Sequence, residues 1–170
     1  MIYYITGGER SGKSRYAQEL AEQLSESPYY LATSRIWDDD FKKRVDRHLA
    51  DRDERWTTIE EEKYLSKVDI SNKTIVMDCV TLWLTNWYAD SKNDISYCLE
   101  SCKKELEITF QNASDETNLI IISNEIGMGI HAQTAVARKF TELQGWINQF
   151  IAKNAHKATF MVSGLSIELK

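Results

Sequence analysis

The segment Gly7-Gly8-Glu9-Arg10-Ser11-Gly12-Lys13-Ser14 constrains this chain more than any other. It follows the short apolar run Ile2-Tyr3-Tyr4-Ile5 and precedes a helical pattern with Tyr16, Ala17, Leu20 and Leu24 on one face. In a Gly-x4-Gly-Lys-Ser loop the glycines permit positive φ and close backbone approach. Successive N–H groups then surround a phosphate, and the following helix adds its positive end. Strand, loop and helix in that order make the segment a phosphate-binding loop rather than an ordinary turn. Lys13 is expected to reach the β and γ oxygens of a triphosphate, and Ser14 to contact Mg²⁺.

The rest of the chain supplies the frame such a loop needs. Buried strands are expected at Tyr29 to Thr33, Thr74 to Met77 and Leu119 to Ile122, and shorter ones at Phe160 to Val162 and Ile167 to Leu169 around Gly164. Helical stripes appear at Leu82, Trp83, Asn86 and Trp87, then at Leu99, Cys102 and Leu106, and finally at Val136, Phe140, Leu143, Ile147 and Ile151. Continuous apolar strands alternating with amphipathic helices predict a doubly wound α/β fold, with a mostly parallel sheet and helices on both faces. With 170 residues, 42% of them hydrophobic, residues 1–170 are expected to form one domain with its own core.

Several function classes are disfavoured by composition. The net charge of −5 gives no basic field for a nucleic-acid backbone, so nucleic acid is not an expected partner. No stretch reaches the ~18 apolar residues of a membrane span, and no signal-like start is visible, so a cytoplasmic protein is expected. Cys79, Cys98 and Cys102 are expected to be reduced, packed thiols; one Cys-x3-Cys pair offers too few ligands for structural zinc.

Asp78 stands at the end of a strand, where a carboxylate would complete the shell of a phosphate-bound metal; capping the next helix is its alternative role. A regulatory GTPase is disfavoured, because Asp78 continues as Cys79-Val80-Thr81 without a glycine, and Asn72-Lys73-Thr74-Ile75 is no guanine-reading Asn-Lys-x-Asp. Glu125, where a strand meets the Gly127 and Gly129 loop, has two open roles: orienting or deprotonating a substrate, or holding the loop. Trp83 and Trp87 are expected in the core, with a substrate-facing surface as the alternative.

A second unusual segment, Arg44-Val45-Asp46-Arg47-His48-Leu49-Ala50-Asp51-Arg52, flanks one histidine with arginines inside a charged helix-and-loop stretch expected from Asp38 to Arg55. Thr6 to Ser14, Ala32-Thr33-Ser34, Arg44-x3-His48-x3-Arg52-x3-Trp56-x3-Glu60, Asp78 to Asn86, Ser123 to Ile130, Asn148-Gln149 and Val162-Ser163-Gly164 together resemble one enzyme family. It is the bifunctional adenosylcobinamide kinase/adenosylcobinamide-phosphate guanylyltransferase family of cobalamin assembly, and the likeness runs essentially through the whole chain.

The resemblance implies a RecA-like P-loop NTPase domain assembled as a homotrimer, with ATP or GTP and Mg²⁺ as cofactors. It implies phosphorylation of adenosylcobinamide, then GMP transfer from GTP to adenosylcobinamide phosphate with loss of pyrophosphate. His48 would be the guanylylated residue. Nucleotide contacts would fall on Gly7, Gly8, Glu9, Arg10, Ser11, Gly12, Lys13, Ser14, Ala32, Thr33, Ser34, Leu49, Ala50, Asp51, Arg52, Glu60 and Asp78. A neutral imidazole is a competent nucleophile near neutral pH, which gives the histidine an independent chemical sense. The chain departs from the family pattern at His131-Ala132, where Val-Pro is usual, at Thr141 and Trp146, where arginines are favoured, and at Glu142, where Asp is. Two further readings stand beside this one: a P-loop kinase of another small alcohol without transferase activity, and a nucleotide-gated binding protein.

Overall fold

The computed structural model describes residues 1–35 and 53–170. The strands are β1 (Ile2–Gly7), β2 (Tyr29–Ala32), β3 (Thr57–Glu60), β4 (Thr74–Asp78), β5 (Asn118–Asn124), β6 (Lys157–Val162) and β7 (Leu165–Glu168). The helices are α1 (Lys13–Leu24), α2 (Val80–Asp90), α3 (Ile95–Gln111) and α4 (Ala135–Asn154). Among the described residues the strands form one sheet in the order β3-β2-β4-β5-β1-β6-β7. Every neighbouring pair is parallel except β6 and β7, which form an antiparallel hairpin.

Alternation along the strands divides the core into two layers. Ile2, Tyr4, Leu31, Ile75, Met77, Leu119 and Ile121 face α2, α3 and α4. Tyr3, Ile5, Tyr30, Val76, Ile120 and Ile122 face the other way, against Ala17 and Ala21 of α1. Small residues on α1 let that helix lie close to the sheet, which fixes the phosphate loop at its start. Trp83 is fully buried and Trp87 nearly so, and both indole N–H groups donate to the Lys63 carbonyl, at 2.8 and 3.3 Å. Both are therefore core residues. Burial of an indole with its donor satisfied removes the usual polar cost of placing tryptophan inside. The three cysteines are free and buried as expected.

The structure adds to the expected frame at its edges. β3 was not foreseen: Thr57, Thr58 and Glu60 are exposed, so this edge strand has none of the continuous apolar character of a buried one. The last four-residue step of the motif, from Trp56 to Glu60, thus covers β3 and the residue before it. Asp53 to Arg55 form a turn; the remainder of the charged segment, including Arg44, His48 and Leu49 to Arg52, lies outside the described residues. Val136, expected on the buried stripe of α4, is half exposed because it sits in the first turn, beyond the sheet's cover. No helix among the described residues is long and apolar enough to cross a membrane.

Candidate active site

Parallel strands present their C-terminal ends to one edge of the sheet, and β1, β4 and β5 run side by side there. Their ends carry the phosphate loop, Asp78 and Glu125, which line a single cleft of about 1210 Å³ together with Ala32, Ser34 and Glu60 from β2 and β3. Such a crevice at the carboxyl edge is where open α/β sheets bind ligands.

Two glycines make the loop's path possible. A Cβ on Gly7 would stand 2.3 Å from the Met161 carbonyl oxygen of β6, so no other residue fits there. Gly12 has φ +97°, a left-handed conformation that favours glycine, and it lies against Gly164 of the β6–β7 turn. That turn has positive φ at both Ser163 and Gly164, the geometry of a tight hairpin, and the Gly164 N–H donates to the Ser11 carbonyl at 3.0 Å. The Val162-Ser163-Gly164 segment thus braces the loop from behind. Gly12 caps α1 by backbone alone, with no acidic side chain in the first turn, so the helix begins with N–H groups suited to an anion.

Lys13 is 7% exposed and its ammonium donates to the Gly8 carbonyl at 2.6 Å. Burial pulls its pKa below the ordinary lysine value, while the charges of Asp78 and Glu9 act in the opposite direction. The Ser14 hydroxyl donates to Asp78 Oδ2 at 2.9 Å. Cys79, not Asp78, occupies the N-cap of α2, and it makes no side-chain cap. The carboxylate of Asp78 is therefore directed at the loop, and its alternative as a helix cap does not apply. Cys79 itself is a neutral thiol, its pKa pushed up to about 12 by burial and by the adjacent Asp78 charge.

The remaining expected contacts divide. Gly8, Glu9, Arg10, Ser11, Gly12, Lys13 and Ser14 line the cleft, as do Ala32, Ser34, Glu60 and Asp78. Thr33 turns inward instead: fully buried, its hydroxyl donates to the Cys79 carbonyl at 2.8 Å and its carbonyl accepts from Asn86 at 2.8 Å. Its part is to hold the ends of β2 and β4 together. Gly7 lies beneath the loop, and His48, Leu49, Ala50, Asp51 and Arg52 lie outside the described residues. Thr81, which also lines the cleft, was missed; its oxygen accepts the Asn124 N–H at 3.2 Å and ties α2 to the end of β5. Its signal was its place three residues after Asp78. Ser14 and Asp78 offer adjacent hard oxygen donors beside the loop, a donor set that fits a magnesium ion sharing its shell with phosphate oxygens.

The family model described as cobinamide kinase / cobinamide phosphate guanyltransferase matches residues 3–169. The chain is 31% identical to the bifunctional adenosylcobalamin biosynthesis protein CobU of Escherichia coli (strain K12), with 100% of each covered. It is 33% identical to the bifunctional adenosylcobalamin biosynthesis protein CobP of Pseudomonas aeruginosa, covering 98% of this chain and 95% of the relative. Among solved structures, a prototypical type III secretion system ATPase of pathogenic bacteria aligns with a TM-score of 0.52 at 11% identity, over 98% of this chain and 56% of that one. The P4 protein of bacteriophage phi6, solved with ADP, aligns at 0.50 and 12%, over 97% and 52%. The chain spans about half the length of these two solved chains, and the likeness to them is one of fold, that of P-loop NTPases.

Proposed function

Because the chain belongs to the cobinamide kinase / cobinamide phosphate guanyltransferase family, we propose that it carries both reactions of that family on one polypeptide. It phosphorylates the hydroxyl of adenosylcobinamide with ATP or GTP, then transfers GMP from GTP to the product, giving adenosylcobinamide-GDP and pyrophosphate. The observation that carries this reading is the cleft itself, in which Lys13, Ser14 and Asp78 meet in a chain matched end to end by its relatives.

In the kinase step the loop's N–H groups and Lys13 hold the β and γ phosphates and stabilise the charge that develops on them. Ser14 and Asp78 would hold Mg²⁺, which supplies charge neutralisation on the phosphate oxygens when bound. In the transfer step an imidazole nitrogen of His48 attacks the α-phosphorus of GTP; the bond to the bridging oxygen breaks and its electron pair leaves with pyrophosphate. An oxygen of adenosylcobinamide phosphate then attacks the same phosphorus, and the nitrogen–phosphorus bond breaks to restore the histidine. Arginines near His48 in sequence, among them Arg52, are suited to the charge on these groups.

A homotrimer fits the exposed apolar row of Leu165 and Ile167 on the edge strand β7 and Leu169 just after it, which a subunit contact would cover. The cytoplasm is the compartment proposed, with small molecules and no nucleic acid as partners; the net charge of −5 supports the latter.

The test is turnover. Purified protein given adenosylcobinamide, ATP, GTP and Mg²⁺ should produce first the corrinoid phosphate and then the GDP-linked corrinoid. Phosphate accumulating without the GDP form would favour the kinase-only reading, and nucleotide binding without either product would favour a nucleotide-gated binding protein.

A further inference from the structure

β5 lies between β1, which ends in the phosphate loop, and β4, which ends at Asp78. The strand's last residues are thereby delivered between the loop and Asp78. The Glu125 N–H donates to the Gly7 carbonyl at 3.0 Å, so backbone register fixes Glu125 beside the loop, and its side chain lines the cleft.

Behind Glu125, α4 presents a polar network where an apolar one would be expected. Leu143, Ile147 and Ile151 on that helix face are fully buried, yet between them stand Gln144 at 0% exposure and Asn148 at 4%. The Ser123 hydroxyl donates to Asn148 Oδ1 at 2.6 Å, and Gln144 Nε2 donates to Ser123 Oγ at 2.8 Å and to Asn148 Oδ1 at 3.2 Å. With its oxygen engaged in this way, Asn148 turns its amide N–H groups toward the cleft. They donate to the Asn124 carbonyl at 3.1 Å and to Glu125 Oε2 at 3.4 Å. The other carboxylate oxygen, Oε1, lies 3.4 Å from where a Cβ on Gly127 would stand, so the loop curls round the carboxylate. Buried polar groups cost desolvation that packed aliphatics avoid, and this network spends its two outward donors on the end of β5 and on one carboxylate.

Other carboxylates of the cleft have different places. Asp78 accepts the Ser14 hydroxyl, Glu9 belongs to the phosphate loop itself, and Glu60 stands on the edge strand β3, separated from β1 by β2, β4 and β5. We infer that Glu125 is the catalytic residue that takes the proton of the acceptor hydroxyl in the kinase step, and that Asn148 is its positioning residue. The inference rests on the kinase reading above. The alcohol oxygen bonds to the γ-phosphorus, the bond from that phosphorus to the bridging oxygen breaks with its pair leaving on the nucleoside diphosphate, and the hydroxyl proton passes to Glu125 and then to water. The second reaction makes no such demand, because a phosphate monoester acceptor is already ionised at neutral pH. Removing the carboxylate should therefore separate the two steps.

The experiment measures each step alone on the full chain: adenosylcobinamide with ATP, and adenosylcobinamide phosphate with GTP. Glu125→Gln keeps the shape and both polar atoms. Its kinase kcat should fall roughly 10²- to 10⁴-fold, the range of general-base contributions, while GMP transfer should fall less than about tenfold and nucleotide affinity should hold. Asn148→Ala should lower kinase kcat by about tenfold and cost little more when added to Glu125→Gln, since a residue acting through Glu125 has nothing left to act on. A purely structural Asn148 would instead depress both steps and add to the Glu125 loss. Wild-type protein lacking kinase activity would defeat the proposed function itself. Wild-type protein active in both steps, with Glu125→Gln retaining kinase kcat within about threefold or losing both steps equally, would overturn this inference alone.

Discussion

The Ser14 hydroxyl and the Asp78 carboxylate, 64 residues apart in the chain, meet at 2.9 Å across the cleft between β1 and β4. Their meeting follows from topology: only β5 separates the two strands, so the ends of both reach the same mouth. Asp78→Asn should keep the fold and the Ser14 contact, since an amide oxygen still accepts. A neutral amide is a poorer ligand for a hard cation. The Mg²⁺ concentration needed for half-maximal kinase activity should therefore rise about tenfold or more, with metal-free nucleotide affinity little changed. An unaltered Mg²⁺ titration would remove Asp78 from the metal site.

Lys13→Ala removes a buried ammonium placed on the loop at Gly8. Kinase turnover should fall roughly 10²- to 10³-fold, the scale seen when one preorganised charge-stabilising group is lost, and triphosphate affinity should drop with it. Thermal unfolding without nucleotide should stay close to wild type, because a lysine with a lowered pKa is paying desolvation in the native state.

At Gly7 the expected effect is on the fold as well as the site. An added methyl would meet the Met161 carbonyl at 2.3 Å, and both groups belong to paired strands with little room to move. Gly7→Ala should destabilise by about 1–3 kcal/mol, as overpacking does, and should also displace the loop. The checks are the thermal midpoint and the shift in that midpoint on adding nucleotide. Wild-type values for both would mean that β6 gives way at no cost.

The centre of this architecture was legible because its signals are local. Gly7 to Ser14 announce their conformation through glycine spacing, and the runs Ile2 to Ile5 and Leu119 to Ile122 announce burial on both faces. Asp78 was readable as a candidate from its place at a strand end, but that its carboxylate accepts from Ser14 while Cys79 takes the N-cap of α2 leaves no trace in the residues beside it. Long-range partnerships left weaker traces. Nothing near Thr33 in sequence reveals that its hydroxyl is taken by the Cys79 carbonyl, so the motif Ala32-Thr33-Ser34 gives no hint that its first and last residues line the cleft while the middle one turns inward. β3 was hidden because an edge strand with Thr57 and Thr58 exposed looks like a loop. The role of Gln144 and Asn148 beside the apolar stripe of α4 depends on Ser123 and Glu125, which stand across from them and are distant in sequence.

His48→Asn should divide the two activities. Without an imidazole nucleophile no phosphoramidate forms, so pyrophosphate release from GTP and GMP transfer should fall to background. Phosphorylation of adenosylcobinamide needs the loop, the metal ligands and a positioned hydroxyl, and should persist within about tenfold of wild type. Separate assays of the two steps on folded variant protein give the ratio of losses, and equal losses would argue against distinct roles.

The most direct measurement of the two-step account is covalent labelling of the chain by GTP carrying radioactive phosphorus at the α position. Protein incubated with this nucleotide and Mg²⁺, denatured and digested, should retain acid-labile, base-stable label on the peptide containing His48, and adenosylcobinamide phosphate added before denaturation should discharge it into the corrinoid. Label absent from the protein while GMP transfer proceeds, or label recovered on a residue other than His48, would contradict the account.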